Sequence, residues 1–346
     1  MIFRQLFDST SGTYTYLLAS RRGSEALLID PVYERVDRYL QLLDELDLKL
    51  VKVVDTHVHA DHITAMGELR NRTRCVTVMG EEAPVDIVSM RVKDGDEVSI
   101  DGLTLKAMHT PGHTSDSYCF VMDDRVFTGD TLLIRGTGRT DFQAGDPVAQ
   151  YESLFYKLLT LPGDTLVYPG HDYKGDTVST IWEEKAWNPR LQVRSVEDYV
   201  SLMNNLNLDN PKMMDVAVPA NMKMGLGQRD DSNPDWAVSV AEAGPLLVSG
   251  DWVLVDLREA GEREKNGVIP GSVHAPYGRL DQFIGAGGTL SEMAASTGRK
   301  LLFYCAYGER SAMAVELAHE LGLVDACHMI GGIDAWKAAG GDITVG

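Results

Sequence analysis

The chain has 346 residues, of which 44% are hydrophobic and 24% charged, a globular composition with enough apolar material for two cores. At roughly 100–200 residues per domain, two domains are expected. The formal net charge of -19 and the lack of any basic run argue against nucleic acid as a partner, although small anions can still be held by local arginines and backbone N–H groups.

Four cysteines, Cys75, Cys119, Cys305 and Cys327, form no C-x-x-C pair. A chain of this length needs no disulfide staples, so reduced thiols in a cytoplasmic protein are expected. The stretch Met1 to Asp8 has no basic region followed by an apolar run, so neither a targeting peptide nor a membrane span is expected.

Tyr14 to Leu18 and Ala26 to Asp30 read as a strand pair around the turn Arg22-Gly23-Ser24. Val32, Val36, Leu40, Leu43 and Leu46 mark a helix at near-3.6 spacing. Leu50 to Val54 is a β-branched run of the buried-strand type. A short helix, Thr64 to Arg70, leads to the strand Cys75 to Met79, and short strands with tight turns fill Asp96 to Thr131. An amphipathic helix from Pro147 to Leu159 has proline in its first turn. Thr165 to Tyr168 is a strand, and helices are expected over Thr177–Trp187 and Val196–Asn205. Gln228 to Asp235 is polar, aperiodic and holds a proline, the signature of a linker. The division expected is therefore 1–228, a linker 229–238, and 239–346. Beyond the linker, Trp252 to Asp256 and Lys300 to Tyr304 are continuous apolar strands of the parallel type, with helices over Ser311–Leu321 and Asp334–Ala339.

The chemistry concentrates at strand ends. Thr56-His57-Val58-His59-Ala60-Asp61-His62 places three imidazoles and a carboxylate directly after an apolar strand. Such a cluster is costly in a core unless each polar group has a partner, and imidazole with carboxylate is what first-row metals accept. Six of the nine histidines lie between positions 57 and 171. His113 sits in Pro111-Gly112-His113-Thr114, Asp130 in Thr128-Gly129-Asp130, and His171 in Pro169-Gly170-His171, again after strands. His109 falls outside this pattern.

The joint pattern His-x-His-x-Asp-His, Pro-Gly-His-Thr, Thr-Gly-Asp and Pro-Gly-His resembles the metallo-β-lactamase superfamily. That resemblance implies an α/β fold, an αββα sandwich with the metal at its edge. Leu133-Ile134-Arg135-Gly136-Thr137-Gly138-Arg139-Thr140-Asp141-Phe142-Gln143, Trp187-Asn188-Pro189-Arg190 and Val218-Pro219-Ala220-Asn221-Met222 resemble persulfide dioxygenases within it. The resemblance implies one Fe(II) per chain, held by His57, His113 and Asp130, with O2 as co-substrate. Two imidazoles and a carboxylate on one face leave coordination positions open. His59, Asp61, His62, His171 and Asp172 are then expected to orient the ligands from behind. Since all ligands of a two-metal site are also present, a dinuclear centre remains an alternative. The substrate implied is glutathione persulfide, oxidised to sulfite and glutathione. Arg139 offers a fork for a glutathione carboxylate, and by resemblance Tyr173 and Thr114 also face the tripeptide.

A second site is Cys305-Ala306-Tyr307-Gly308-Glu309-Arg310-Ser311, between a strand and a helix. A loop so placed aims backbone N–H groups and a helix N-terminus at the sulfur, which favours anionic sulfur. Cys75, Cys119 and Cys327 lie in apolar strands and read as structural. The loop resembles that of rhodaneses, as do Val255-Asp256-Leu257-Arg258-Glu259 and Gly267-Val268-Ile269-Pro270-Gly271-Ser272. This implies a C-terminal rhodanese-like α/β domain with a parallel sheet. Cys305 would carry sulfane sulfur, Arg310 and the loop amides would hold the anion, and Asp256 and Arg258 would brace the loop. Four residues separate Cys305 from Arg310, a tighter ring than the five of related phosphatases. Val268 stands where the family commonly has histidine, and Glu309 adds a negative charge that disfavours a dianionic donor.

The sequence thus reads as a bifunctional sulfur-metabolism enzyme, a persulfide dioxygenase fused to a sulfurtransferase. The sulfurtransferase half would interconvert thiosulfate and glutathione with glutathione persulfide and sulfite. A homo-oligomer is expected, with no nucleic-acid or membrane partner. The alternative is a zinc-dependent glutathione thioester hydrolase of the glyoxalase II type with a non-catalytic sulfur-binding module.

Overall fold

The computed structural model describes residues 1–345 except 86, 143, 207, 209–212 and 226–233. Gln143 and the first part of the expected linker, residues 229–233, lie outside the described residues. The chain divides into two compact units, Met1–Asp86 with Met90–Gln228, and Ile87–Ser89 with Arg229–Gly346.

The first unit opens with β1 (Ile2–Asp8), β2 (Thr13–Ala19), β3 (Glu25–Ile29), α1 (Val36–Glu45), β4 (Lys49–Val54), α2 (Met66–Thr73), β5 (Val76–Gly80) and β6 (Met90–Val92). These six strands form one sheet in sequence order. The first two pairings are antiparallel, and β3 onward is parallel. A second six-stranded sheet comprises β7 (Glu97–Ile100), β8 (Leu103–His109), β9 (Tyr118–Val121), β10 (Arg125–Gly129), α3 (Pro147–Glu152) outside it, β11 (Leu166–Pro169) and β12 (Ser179–Thr180). α4 (Ile181–Trp187), α5 (Val196–Asn204) and α6 (Met214–Asn221) complete the unit.

The sheets meet face to face through aromatic rings. Tyr16 of β2 lies 5.0 Å from Phe127 of β10, and Phe3 of β1 lies 4.8 Å from Tyr168 of β11. Every residue of β2 is buried, as expected of a strand covered on both faces. α1 buries Val36, Tyr39, Leu42 and Leu43, one stripe at helical spacing. On the outer side of the second sheet Leu154, Leu158, Ile181, Tyr199 and Met203 share a core with Val126 and Val167. The result is the αββα sandwich.

Several elements differ from the sequence reading. Ser179 and Thr180 are not helical: they pair with β11, and the Thr180 hydroxyl accepts from Glu183 N–H, so α4 starts at Ile181. The expected helix 147–159 is α-helical only to Glu152, widens to a π-turn over Ser153–Lys157 and tightens over Leu158–Thr160. β1 and α6 form without a strong periodic signal in the sequence.

The second unit contains β13 (Ala237–Val238), α7 (Val240–Ser249), β14 (Trp252–Asp256), α8 (Ala260–Asn266), β15 (Val273–His274), α9 (Leu280–Ile284), α10 (Thr289–Thr297), β16 (Lys300–Tyr304), α11 (Glu309–Glu320), β17 (Cys327–Met329) and α12 (Gly332–Ala338). The sheet order is β13-β17-β16-β14-β15, and all pairings are parallel. Ala237 and Val238, placed in the linker by composition, are its edge strand. The central strands β14 and β16 are almost wholly buried, which matches their unbroken apolar sequence. Among the described residues no helix is long and apolar enough to cross a membrane.

Candidate metal centre and sulfur loop

The strand ends of the first unit bring His57, His113 and Asp130 together. One ligand atom from each lies within 4.8 Å of the other two. His57 follows β4, Asp130 follows β10, and His113 lies on the turn between β8 and β9. The histidines are fixed by their second nitrogens. His113 Nδ1 donates to the Arg139 carbonyl at 2.7 Å, so its Nε2 presents a lone pair, 3.6 Å from Asp130 Oδ2. His57 Nδ1 is 3.0 Å from Thr56 Oγ1, whose own proton goes to Asp30 Oδ2 at 2.9 Å. That hydroxyl must therefore accept from His57, which again leaves Nε2 as the exposed lone pair. Burial, together with the neighbouring His59 and His113 rings, pushes the His57 pKa well down, so the ring is neutral as a ligand requires. Burial alone would raise the Asp130 pKa, but His171, His113 and His57 hold it far below the carboxylate range. Two imidazoles with tethered Nδ1 atoms and one ionised carboxylate fit a first-row divalent cation.

His171 is not presented as a ligand. Its Nδ1 meets Asp130 Oδ1 at 2.6 Å and its Nε2 meets Asp61 Oδ2 at 2.7 Å. Burial opposes protonation, yet the two carboxylates raise its pKa well above the ordinary value. A second group, His59, Asp61 and His62, also clusters. Asp61 Oδ2 there already meets His62 Nδ1, His171 Nε2 and Thr13 Oγ1. Among the described residues, His59 Nδ1 and His62 Nε2 are buried without a hydrogen-bond partner. Burial works to lower the His59 pKa, and Asp30, 3.1 Å from its Nε2, overrides it and lifts the value to about 9.

Three structural partners escaped the sequence reading. Asp30, at the end of β3, holds Thr56 N–H and His59. Asp116 accepts from Val58 N–H at 2.9 Å. Asn221, at the end of α6, accepts from Thr64 N–H and donates to the carbonyls of His59 and His62. The acid ending the apolar run at Asp30 was a usable signal, whereas nothing local marks Asp116.

A cavity of about 280 Å³ opens beside the triad, lined among others by His57, His113, Asp130, Arg139, Phe142 and Tyr173. Lys174 and Arg190 add positive charge to its wall. Arg139 is engaged: Nε and Nη2 contact Asp141 at 2.5 and 2.6 Å, and its guanidinium lies 4.9 Å from the Phe142 ring centre. Tyr173 is exposed and stacked on His171. Two expectations need correction. Thr114 does not line the cavity; it is fully buried and its hydroxyl pairs with Ser117 Oγ at 2.8 Å, because a buried hydroxyl needs a local partner. Asp172 lines the cavity but its Oδ2 accepts the N–H groups of Lys174, Gly175 and Asp176, so it shapes the turn rather than the ligands. His109 ends β8 and its Nε2 meets the Ser115 carbonyl.

In the second unit Cys305 follows β16 and is buried. Gly308 N–H points at its Sγ from 3.1 Å, and Ser311 Oγ lies 3.8 Å away. Gly308 has φ +103, and a Cβ there would sit 2.8 Å from Gly331 N, so the loop requires glycine. Ala306 and Cys305 carbonyls accept from Asp334 and Ile333, which ties the loop to α12. Tyr307 is exposed, and Glu309 opens α11. Arg310 is completely buried and forms a two-point pair with Glu262 at 2.8 and 2.7 Å. Glu262, on α8, was missed; it lies three residues after Glu259 in a reciprocal capping arrangement, itself a readable signal. Asp256 and Arg258 form a second two-point pair at 3.0 and 2.7 Å, and Tyr304 donates to Asp256 at 2.7 Å. His328 of β17, also missed, places Nδ1 3.5 Å from Ser311 Oγ.

Family models match the regions that hold the two sites. The metallo-beta-lactamase superfamily model matches residues 9–87 and 80–171, and the rhodanese-like domain model matches residues 239–339. The class is thus a metallo-β-lactamase-superfamily domain followed by a rhodanese-like domain. The human mitochondrial persulfide dioxygenase ETHE1 is 47% identical over 229 residues, 65% of this chain and 89% of that protein. The crystal structure of ETHE1 from Myxococcus xanthus is 55% identical with a TM-score of 0.63, covering 65% of this chain and 100% of that one. A metallo-beta-lactamase from Staphylococcus aureus shares the fold at 18% identity and a TM-score of 0.61, covering 95% of this chain and 98% of that one. The chain belongs to the persulfide dioxygenase family and is an enzyme of sulfur metabolism with a fused rhodanese-like domain.

Proposed function

We propose that the first unit oxidises glutathione persulfide to sulfite and glutathione at a single Fe(II) held by His57, His113 and Asp130. Bound iron supplies the redox chemistry that O2 requires; both oxygen atoms end on the terminal sulfur, and water supplies the third oxygen of sulfite. The carrying observation is the division of labour among the histidines. His57 and His113 have their Nδ1 atoms tied back, while both nitrogens of His171 are spent on Asp130 and Asp61. That supports three ligands on one ion rather than two complete sets. The cavity beside the triad, with Arg139, Lys174 and Arg190 on its wall, suits an anionic tripeptide.

The second unit is proposed to relay sulfane sulfur on Cys305. The thiolate attacks the outer sulfur of a donor, expels sulfite or glutathione, and holds the sulfur as a cysteine persulfide until an acceptor takes it. Gly308 N–H and the start of α11 face the sulfur and stabilise its charge. Glu262 neutralises Arg310, which leaves the backbone as the anion-holding group and favours a singly charged persulfide over dianionic thiosulfate.

An oxygen electrode with iron-loaded protein and glutathione persulfide, combined with metal analysis, tests the first assignment. One iron per chain and stoichiometric O2 uptake are expected. Two zinc ions per chain with no O2 uptake would replace it with the thioester hydrolase, a reading for which the unpartnered His59 Nδ1 and His62 Nε2 speak.

A further inference from the structure

We infer that Gln150, held by Tyr199, is a positioning residue for His113, clamping the histidine loop from both sides. Gln150 sits on α3 and is completely buried, as is Tyr199 on α5. A buried amide and phenol outside the cavity wall need a reason, and their bonds supply one.

The orientation of His113 depends on the Arg139 carbonyl, which receives its Nδ1 proton. That carbonyl belongs to a segment fixed at Gly138. Gln150 Nε2 donates to the Gly138 carbonyl at 3.1 Å, and Gly138 N–H donates to the Asp130 carbonyl at 2.7 Å. Tyr199 O–H donates to Gln150 Oε1 at 2.7 Å. Because the Gly138 carbonyl only accepts, the amide has one possible orientation. The fit is close: a Cβ on Gly138 would lie 2.2 Å from the Asp130 carbonyl and 2.8 Å from the His113 ring.

The same helix holds the chain preceding His113. A Cβ on Gly112 would lie 2.2 Å from Gln150 Cβ, so Gly112 and Gln150 are packed in direct contact. The Gly112 carbonyl also accepts from the N–H of Asp146, the N-cap of α3. One turn on, Ser153 donates to the Pro111 carbonyl at 2.7 Å, and here the helix widens into its π-turn. Gln150 and Ser153, three positions apart, lie on one face of the helix and both reach the loop 111–113. Gln150 thus contacts the residue before His113 and fixes the segment that orients the ring.

This inference rests on the reading that His57, His113 and Asp130 hold a metal. The test measures Co(II) and Fe(II) dissociation constants anaerobically by chelator competition, with thermal midpoints of the metal-free proteins alongside. Gln150→Met keeps length and packing but removes the amide, and should weaken metal binding about 10- to 100-fold. Tyr199→Phe keeps the ring, frees Gln150 Oε1 and removes a longer 3.4 Å contact with Thr137 Oγ1, and should weaken it about three- to tenfold. The double variant should resemble Gln150→Met, because the phenol acts through the amide. Unchanged dissociation constants overturn the inference, whatever happens to the thermal midpoint. Should Gln150→Met not fold, Tyr199→Phe decides alone. A wild-type chain that binds no metal at this triad defeats the underlying metal reading, a result distinct from variants that bind as wild type does.

Discussion

Asn221→Leu is the most direct probe of how the metal loop is held. The side chain is buried and makes three hydrogen bonds: Thr64 N–H to its Oδ1 at 2.9 Å, and its Nδ2 to the carbonyls of His59 and His62 at 2.9 and 2.8 Å. Leucine has nearly the same shape and no polar atom, so the change leaves three backbone groups facing an apolar surface. At about 1 to 1.5 kcal/mol for each bond lost in this way, the variant should be destabilised by about 3–4 kcal/mol. For a unit of this size that corresponds to a midpoint lower by roughly 10 °C. Scanning calorimetry of the whole chain reads it in the transition that shifts when metal is added, since a ligand moves only the unit that binds it. Amide exchange at residues 59–64 should accelerate as well. A midpoint within about 2 °C of the parent would mean that water or neighbouring groups replace the amide, and the anchoring role would be refuted.

Other expectations concern the two sites separately. Asp141→Asn releases the Nε/Nη2 edge of Arg139, so the KM for glutathione persulfide should fall about two- to fivefold with kcat unchanged; a higher KM would show that Asp141 aims the guanidinium instead. Cys305→Ser should abolish sulfur transfer to cyanide or glutathione while oxygen uptake stays nearly intact, and a large loss of uptake would show that the sites are coupled. Burial lowers the His328 pKa from 6.5 to about 4. The unfolded chain takes up this proton near pH 6.5 while the folded chain withholds it until about pH 4, so stability falls across that window and carries no such cost above it. The full loss is about 3 kcal/mol, and His328→Asn should flatten the pH dependence of unfolding between those limits.

The C-terminal unit was legible where its strands are covered on both faces. Trp252 to Asp256 and Lys300 to Tyr304 are unbroken apolar runs and became the central strands of a parallel sheet. The short edge β13 was not legible, because two residues carry no period and their pairing with β17 is non-local. The same reasoning separates α1, whose apolar stripe is regular, from α6, which has Pro219 in its interior and forms because its end anchors the metal loop.

Local order in the chain determined which chemistry gathers at the strand ends: the His-rich turn after β4, the Pro-Gly-His and Thr-Gly-Asp turns, and a cysteine opening the four-residue turn between β16 and α11. These are short-range patterns whose residue types name their chemistry. What only tertiary structure decided is how the non-local groups are used. Arg310 lies beside Glu262, and His171 between two carboxylates. A buried polar group takes whichever partner the packing of distant segments delivers, and across 41 residues between Asp130 and His171, or 48 between Glu262 and Arg310, no local pattern specifies that choice.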